Sequence, residues 1–275
     1  MTSPLQFATL LAHQAGELLR DYYSTNATQA TLKPDHSIVT EADLASDRLI
    51  AKQIKKRFPG DILLSEELQP EYIVGGDPAP DHRSPDPGVW VIDPLDGTTN
   101  FSLGLHYWGV SIARLVDGWP EIAAMYYPLL DQLYTAQKGA GAYLNGEPLH
   151  NLPPPEGQTS FFACCSRTYR RYDVNIRYKT RILGCASYML CAVALGIAAI
   201  GLESTAKIWD LAGGWLLVQE AGGVVGTLEG TQPFPLATGD DYRQKSFPIL
   251  AAATRELAYR ARDQIQLKKQ TQSPA

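Results

Sequence analysis

Two carboxylates stand among turn and hydroxyl residues in Asp93-Pro94-Leu95-Asp96-Gly97-Thr98-Thr99-Asn100-Phe101. Acids at this spacing can share hard, oxygen-loving cations such as Mg²⁺. Pro94 stiffens the link between them and Gly97 lets the backbone turn sharply. Thr98, Thr99 and Asn100 favour the opening of a helix. The free N–H groups of that turn suit a phosphate. Metal sites beside an anion cradle are what metal-assisted hydrolysis of a phosphate ester requires. Asp-Pro and Asp-Gly are also common turn formers, so the reading depends on partners elsewhere in the chain.

Those partners are acids at the ends of other expected elements. Asp43 lies just inside a helix that Thr40 opens, and it reads both as a cap and as a chemical group. Glu66 and Glu67 follow the short strand Ile62-Leu63-Leu64. Asp210 stands in Ile208-Trp209-Asp210-Leu211-Ala212-Gly213-Gly214, where it can cap a helix. Glu67 is read as a supporting or surface acid. His36, His82 and His106 lack metal-ligand spacing and are read as structural or surface residues. Trp90, Trp108 and Trp209 are read as core.

The positioning elements follow from periodicity. Ala8, Leu11, Ala12, Ala15, Leu18, Leu19 and Tyr22 share one helical face, so a helix is expected from Leu5 to Tyr23. A polar stretch, Ser24 to Ser37, precedes a second helix from Thr40 to Phe58, which Pro59-Gly60 stops. Val89-Trp90-Val91-Ile92 is a buried strand that delivers the paired acids. Pro70 to Gly88 is a surface loop. Tyr107 to Leu144 is β-rich, with turns at Asp117-Gly118 and Asn145-Gly146. Phe161 to Cys165 is a strand, and a basic segment from Arg167 to Arg181 follows it. Tyr188 to Leu202 is a core helix passing into a strand. A helix is expected from Asp210 to Glu220, strands at Val224 to Thr227 and Ile249 to Ala253, and a last helix from Arg255 to Leu267. Segregated helices and antiparallel hairpins suggest an α+β fold in layers rather than a Rossmann series.

The 275 residues are read as one domain over 1–270. A subdomain boundary falls at 151–157, around Leu152-Pro153-Pro154-Pro155, and 271–275 form a frayed tail. With 45% hydrophobic and 19% charged residues the chain is globular, and a net charge of −5 argues against a nucleic-acid partner. The longest apolar run is too short to span a bilayer. The opening residues lack the pattern of a signal peptide. Cys164, Cys165, Cys185 and Cys191 have no zinc-type spacing and read as free thiols in a reducing compartment, so a cytoplasmic location is expected.

From Lys33 to Gly223 these segments resemble the inositol monophosphatase family. Its Asp-Pro-Leu-Asp-Gly-Thr-Thr-Asn-Phe signature is complete at Asp93 to Phe101, and its Trp-Asp-x-Ala-Gly-Gly signature stands at Trp209 to Gly214. The resemblance implies a layered αβαβα sandwich shared with fructose-1,6-bisphosphatases, and a homodimer. It implies that Glu66, Asp93 and the Leu95 carbonyl hold a first Mg²⁺. Asp93, Asp96 and Asp210 would hold a second, and Glu66 would reach a third through water, giving two to three ions per site. Asp43, Glu66 and Thr98 would be the catalytic group, with Asp43 and Thr98 orienting a metal-bound water as nucleophile. Gly97 and Thr98 N–H groups would bind the phosphate. Ala186, Glu203 and Asp210 would hold the substrate alcohol, and Asp96 would also contact phosphate or substrate. Lys33 takes the place of a family lysine near the metals, or is a plain solvated lysine.

The chain departs from the family pattern at Ser65, where glycine is usual, and in a longer, Pro-rich loop before Val89. Arg167, Arg170, Arg171, Arg177, Lys179 and Arg181 make an unusually basic segment, either a solvated face or a grip on a second anion of the substrate. The resemblance implies a Mg²⁺-dependent phosphomonoesterase acting on a small phosphorylated polyol or sugar, inositol monophosphate first, by direct attack of a metal-activated water and with lithium inhibition. Fructose-1,6-bisphosphatase and histidinol-phosphate phosphatase are the alternatives of the same fold. Thr99 argues against the latter, and Thr99-Asn100 against a 3′(2′),5′-bisphosphate nucleotidase. A regulatory binding protein is the reading from another class.

Overall fold

Local signals place the first two helices. Helix α1, Pro4–Ser24, starts from Ser3, which exchanges capping hydrogen bonds with Gln6, and buries Ala8, Leu11, Ala12, Ala15 and Leu19. A hairpin of β1, Ala30–Leu32, and β2, Ile38–Thr40, leads into α2, Glu41–Arg57, capped by Thr40. The computed structural model describes residues 2–33, 37–67, 87–150, 160–237 and 240–268.

Strands β3 (Ile62–Ser65) and β4 (Val89–Asp96) lie parallel, and the short helix α3 (Thr98–Ser102) follows β4. Then come β5 (Gly109–Val116), β6 (Trp119–Tyr127), β7 (Gln132–Gln137), β8 (Gly141–Leu144) and β9 (Glu147–Leu149). These complete a seven-stranded sheet in the order β3-β4-β5-β6-β7-β8-β9. The expected turns are there: Asp117 and Gly118, and Asn145 and Gly146, all have positive φ.

The second half builds another sheet. Its elements are β10 (Phe161–Cys164), α4 (Thr168–Arg171), β11 (Tyr172–Val174), β12 (Lys179–Arg181), α5 (Ala186–Ala194), β13 (Ala198–Ala206) and α6 (Ile208–Glu220). They continue with β14 (Val224–Thr227), β15 (Phe247–Ala252), α7 (Arg255–Asp263) and β16 (Ile265–Leu267). Five strands pair in the order β12-β10-β13-β15-β14.

Packing stacks these parts as α1 and α2, the seven-stranded sheet, α5 and α6, the five-stranded sheet, and α7. Three apolar cores lie between the layers. One joins α1 and α2 to the first sheet, with Trp90, Phe101 and Trp108 inside. The largest surrounds α5 and α6 and includes Trp209. The third sits under α7. The α+β layered sandwich is therefore the observed fold.

Two expectations are corrected. The last helix stops at Asp263 rather than Leu267, because Ile265, Gln266 and Leu267 pair as a strand with Val174, Asp173 and Tyr172. The polar stretch from Ser24 to Ser37 contains β1, whose three residues are all exposed and so show no alternation to read. Residues 70–86 of the loop expected from Pro70 to Gly88, the connector at 151–157, the tail at 271–275, and His36 and His82 lie outside the described residues. Among the described residues, no helix is long and apolar enough to cross a membrane. All four cysteines are free thiols.

Candidate active site

Strand pairing brings the first two acids together. Ser65 lies opposite Ile92, so Glu66 and Asp93 follow at the same end of the sheet. The Glu66 N–H donates to the Ile92 carbonyl at 3.2 Å. The third acid comes from the next layer. Asp210, in the first turn of α6, accepts the Lys207 N–H at 2.8 Å. One carboxylate oxygen from each of Glu66, Asp93 and Asp210 lies within 4.8 Å of the others.

Burial raises all three carboxyls, and mutual repulsion adds to it. Glu66 is pushed up to about 7 by burial, against the pull of the Lys33 ammonium and with a further push from Glu67 and Asp43. Asp93 is held well above the usual carboxylate range by burial, then by Glu66, Asp96 and Asp210. Asp210 is raised likewise by burial, then by Asp96 and Glu66. Crowded carboxylates of this kind need a counter-charge to ionise together. The donor set is all oxygen, which suits a hard divalent cation.

Asp96 presses on the same group electrostatically, but its oxygens face the start of α5. Oδ1 accepts the Ala186 N–H at 3.2 Å, and Oδ2 accepts the Ser187 N–H at 2.6 Å and the Cys185 thiol at 3.1 Å. A carboxylate has further lone pairs, so this cap and a ligand role are compatible. It also means that the N–H of Ala186, a residue expected to hold the substrate alcohol, is engaged by Asp96 here. The backbone around Asp96 is set by a bulge in the β4–β5 pairing between Asp93 and Asp96. Leu95 N–H donates to Asp93 Oδ1 at 3.1 Å. Gly97 turns the chain with φ +89°, and a Cβ there would lie 2.7 Å from the Tyr107 carbonyl oxygen. The first turn of α3 then leaves N–H groups without intrahelical acceptors. Asn100 acts as a staple, its Nδ2 donating to the carbonyls of Tyr107 at 2.7 Å and Leu183 at 2.8 Å.

Asp43 combines both roles read from the sequence. Its Oδ2 accepts from the Thr40 N–H at 2.8 Å and from the Thr40 hydroxyl, while its Oδ1 lies 2.9 Å from Thr98 Oγ1. Thr98 Oγ1 is also 3.0 Å from the Leu95 carbonyl, so one hydroxyl proton serves two acceptors. Burial raises Asp43, and its hydrogen bonds partly offset that. Lys33 is no stray surface lysine: its ammonium pairs with Glu67 and sits 3.4 Å from Glu66 Oε1.

Glu203, on β13, accepts the Ser204 N–H at 3.1 Å and is raised by burial, with Asp96 adding repulsion. Arg167 donates to Thr205 Oγ1 at 3.0 Å, two residues beyond Glu203. The thiols were not legible as site residues. Cys185 caps toward Asp96, and Cys165 lies 2.9 Å from Ser204 Oγ beside Glu203. No spacing in the sequence pointed to either contact.

Comparison with known proteins identifies the family of the chain. The family model described as "Inositol monophosphatase family" matches residues 1–267. A histidinol-phosphatase of Chlorobaculum parvum is 33% identical over 84% of this chain and 88% of its own length. Inositol monophosphatase 1 of Sus scrofa is 29% identical over 96% of this chain and 94% of its own. The Nus factor SuhB of Escherichia coli is 34% identical, covering 84% and 88%. The crystal structure of extragenic suppressor protein suhB from Bartonella henselae superposes with a TM-score of 0.75 at 28% identity, covering 94% of this chain and 96% of that one.

Proposed function

This chain belongs to the inositol monophosphatase family, and on that premise we propose that it is a Mg²⁺-dependent phosphomonoesterase for a small phosphorylated polyol or sugar, inositol monophosphate first. The observation that carries this reading is the convergence of Glu66, Asp93 and Asp210 from three separate elements. Divalent ions bound by these acids, with Asp96 and the Leu95 carbonyl added, supply the charge neutralisation that phosphoryl transfer needs. The rest falls to the chain's own groups.

The Thr98–Asp43 pair handles the proton of the attacking water. The hydroxyl of Thr98 accepts one hydrogen from that water while passing its own to Asp43 Oδ1, 2.9 Å away. Burial makes Asp43 a better acceptor than an exposed aspartate. The N–H groups of Gly97 and Thr98, at the start of α3, hold the phosphoryl oxygens. Glu203 and Asp210 accept hydrogen bonds from hydroxyls of the alcohol half, beside Ala186. Lys33 holds Glu66 and Glu67 in place and limits the repulsion at Glu66.

The test is phosphate release from myo-inositol 1-phosphate, fructose 1,6-bisphosphate, histidinol phosphate and 3′-phosphoadenosine 5′-phosphate, each with and without EDTA and lithium. The expected result is Mg²⁺-dependent turnover, highest on inositol phosphate and suppressed by EDTA. A folded protein that binds Mg²⁺ and turns over none of them overturns the reading.

A second reading of the substrate is favoured by Arg167, whose guanidinium lies along β13 two residues from Glu203. There it can grip a second anionic group, as in a bisphosphate. Arg167→Ala should then raise KM for bisphosphates several-fold more than for monophosphates. Equal effects on both remove the support.

A further inference from the structure

The buried face of α2 changes character along its length. Toward the C-terminus it carries Ile50, Ala51 and Ile54, an ordinary apolar stripe. Toward the N-terminus the same face carries Asp43, Ser46 and Asp47, all at most 1% exposed. Three polar residues at i, i+3 and i+4 are costly to bury unless each is engaged.

Each one reaches a different strand or loop of the active site. Asp43 meets Thr98. Ser46 Oγ donates to the Pro94 carbonyl at 2.8 Å, inside the bulge that separates Asp93 from Asp96. Asp47 Oδ1 accepts the hydroxyl of Ser65 at 2.6 Å, and Ser65 is the last residue of β3, directly before Glu66.

The last of these contacts has the most to do. Strand β3 has four residues and lies at the edge of its sheet, so among the described residues only β4 holds it by backbone pairing. Successive side chains of a strand point to opposite faces. A Ser65 hydroxyl pinned to α2 therefore sets the face on which Glu66 projects. Where the family pattern has glycine at this position, no such hydroxyl exists. The other oxygen of Asp47 has no hydrogen-bond partner among the described residues, so Ser65 is the contact that ties this carboxylate to the strand.

We propose that Asp47, through Ser65, is a positioning residue for Glu66, and that Ser46 does the same for the Asp93–Asp96 bulge. The α2 helix is then a bracket that holds the acid-bearing strand ends at the separation a cation needs. This rests on the metal-site reading above, and the test separates the two.

The experiment is calorimetric titration of the full-length, substrate-free protein with Mn²⁺ and Mg²⁺, alongside the Mg²⁺ dependence of kcat and the substrate KM at saturating metal. Removing the hydroxyl in Ser65→Ala, or in Ser65→Gly should the first not fold, should weaken metal binding about tenfold or more, the range seen for groups that orient ligands. Substrate KM at saturating metal should stay within twofold. Asp47→Asn keeps an acceptor for Ser65 and should stay within threefold of the parent, whereas Asp47→Ala should match Ser65→Ala. Glu66→Gln is the control. If Glu66→Gln weakens metal binding and neither Ser65 variant does, the bracket is overturned while the metal site stands. If Glu66→Gln leaves binding unchanged, the metal site itself fails, and the bracket with it.

Discussion

Acids flank strands β3 and β4 at both ends, and the two ends are built differently. At one end Asp61 accepts the Arg114 guanidinium at 2.7 and 3.2 Å, the Trp90 indole N–H at 2.9 Å and the Gly88 N–H at 2.9 Å. Every lone pair that burial strips of water finds a donor, and the charge finds a cation. At the other end Glu66 and Asp93 face each other and Asp210, and the Lys33 ammonium is shared between Glu66 and Glu67. An acid that serves the fold is neutralised by the fold. The acids at this second end are gathered without such a pairing among the described residues, which costs stability and makes them receptive to a divalent cation.

The largest test of this contrast is Asp93→Asn. It removes the acid central to the trio, and phosphatase activity should fall by several orders of magnitude at saturating Mg²⁺. Near-normal turnover would mean that the crowded end is not the reaction centre. The matching change at the other end is Arg114→Met, which strands Asp61 as a buried charge. Losing one partner of a buried pair costs about 3–5 kcal/mol, so denaturant unfolding should shift by that order while kcat of the folded protein holds. A loss of kcat without loss of stability would erase the distinction between the two ends.

A smaller effect sharpens the comparison through pH. The folded-state carboxyls at the active end are raised, Glu66 to about 7 from roughly 4.3 in a free glutamate. A raised acid contributes stability that is present below its unfolded pKa and lost as pH rises through the folded one. In EDTA, the melting temperature should therefore fall as pH climbs from about 5 through 7. Mg²⁺ should flatten the profile by binding the ionised form. A metal-free melting temperature that rises over this window would contradict the crowding.

Much of this was legible in the chain. The periodic faces of α1 and α2, the capping Thr40, the Asp117-Gly118 and Asn145-Gly146 turns and the strand before Asp93 all depend on residues a few positions apart. Other features had no local signature. β16 exists because Ile265 finds Val174, so helical periodicity in Arg255 to Leu267 was overruled by a distant partner. Lys33 sits on a hairpin whose exposed residues do not alternate, yet that hairpin delivers it to Glu67. Ser46 and Asp47 looked like ordinary members of a helix, because their partners, Pro94 and Ser65, lie on strands outside it.

By itself, the sequence determined that acids stand at the ends of elements and how the turn presents Asp93, Asp96 and Gly97, since spacing, proline stiffness and a glycine with φ +89° act within one loop. Tertiary structure alone decided that Glu66 and Asp210 come within 4.8 Å of Asp93, and that Asp96 turns its oxygens to the start of α5. Hydrogen bonds along the chain are specified by near neighbours. The meeting of three carboxylates depends on how β3, β4 and α6 pack across two layers, and only the burial of the apolar cores between those layers could pull the acids together against their own repulsion.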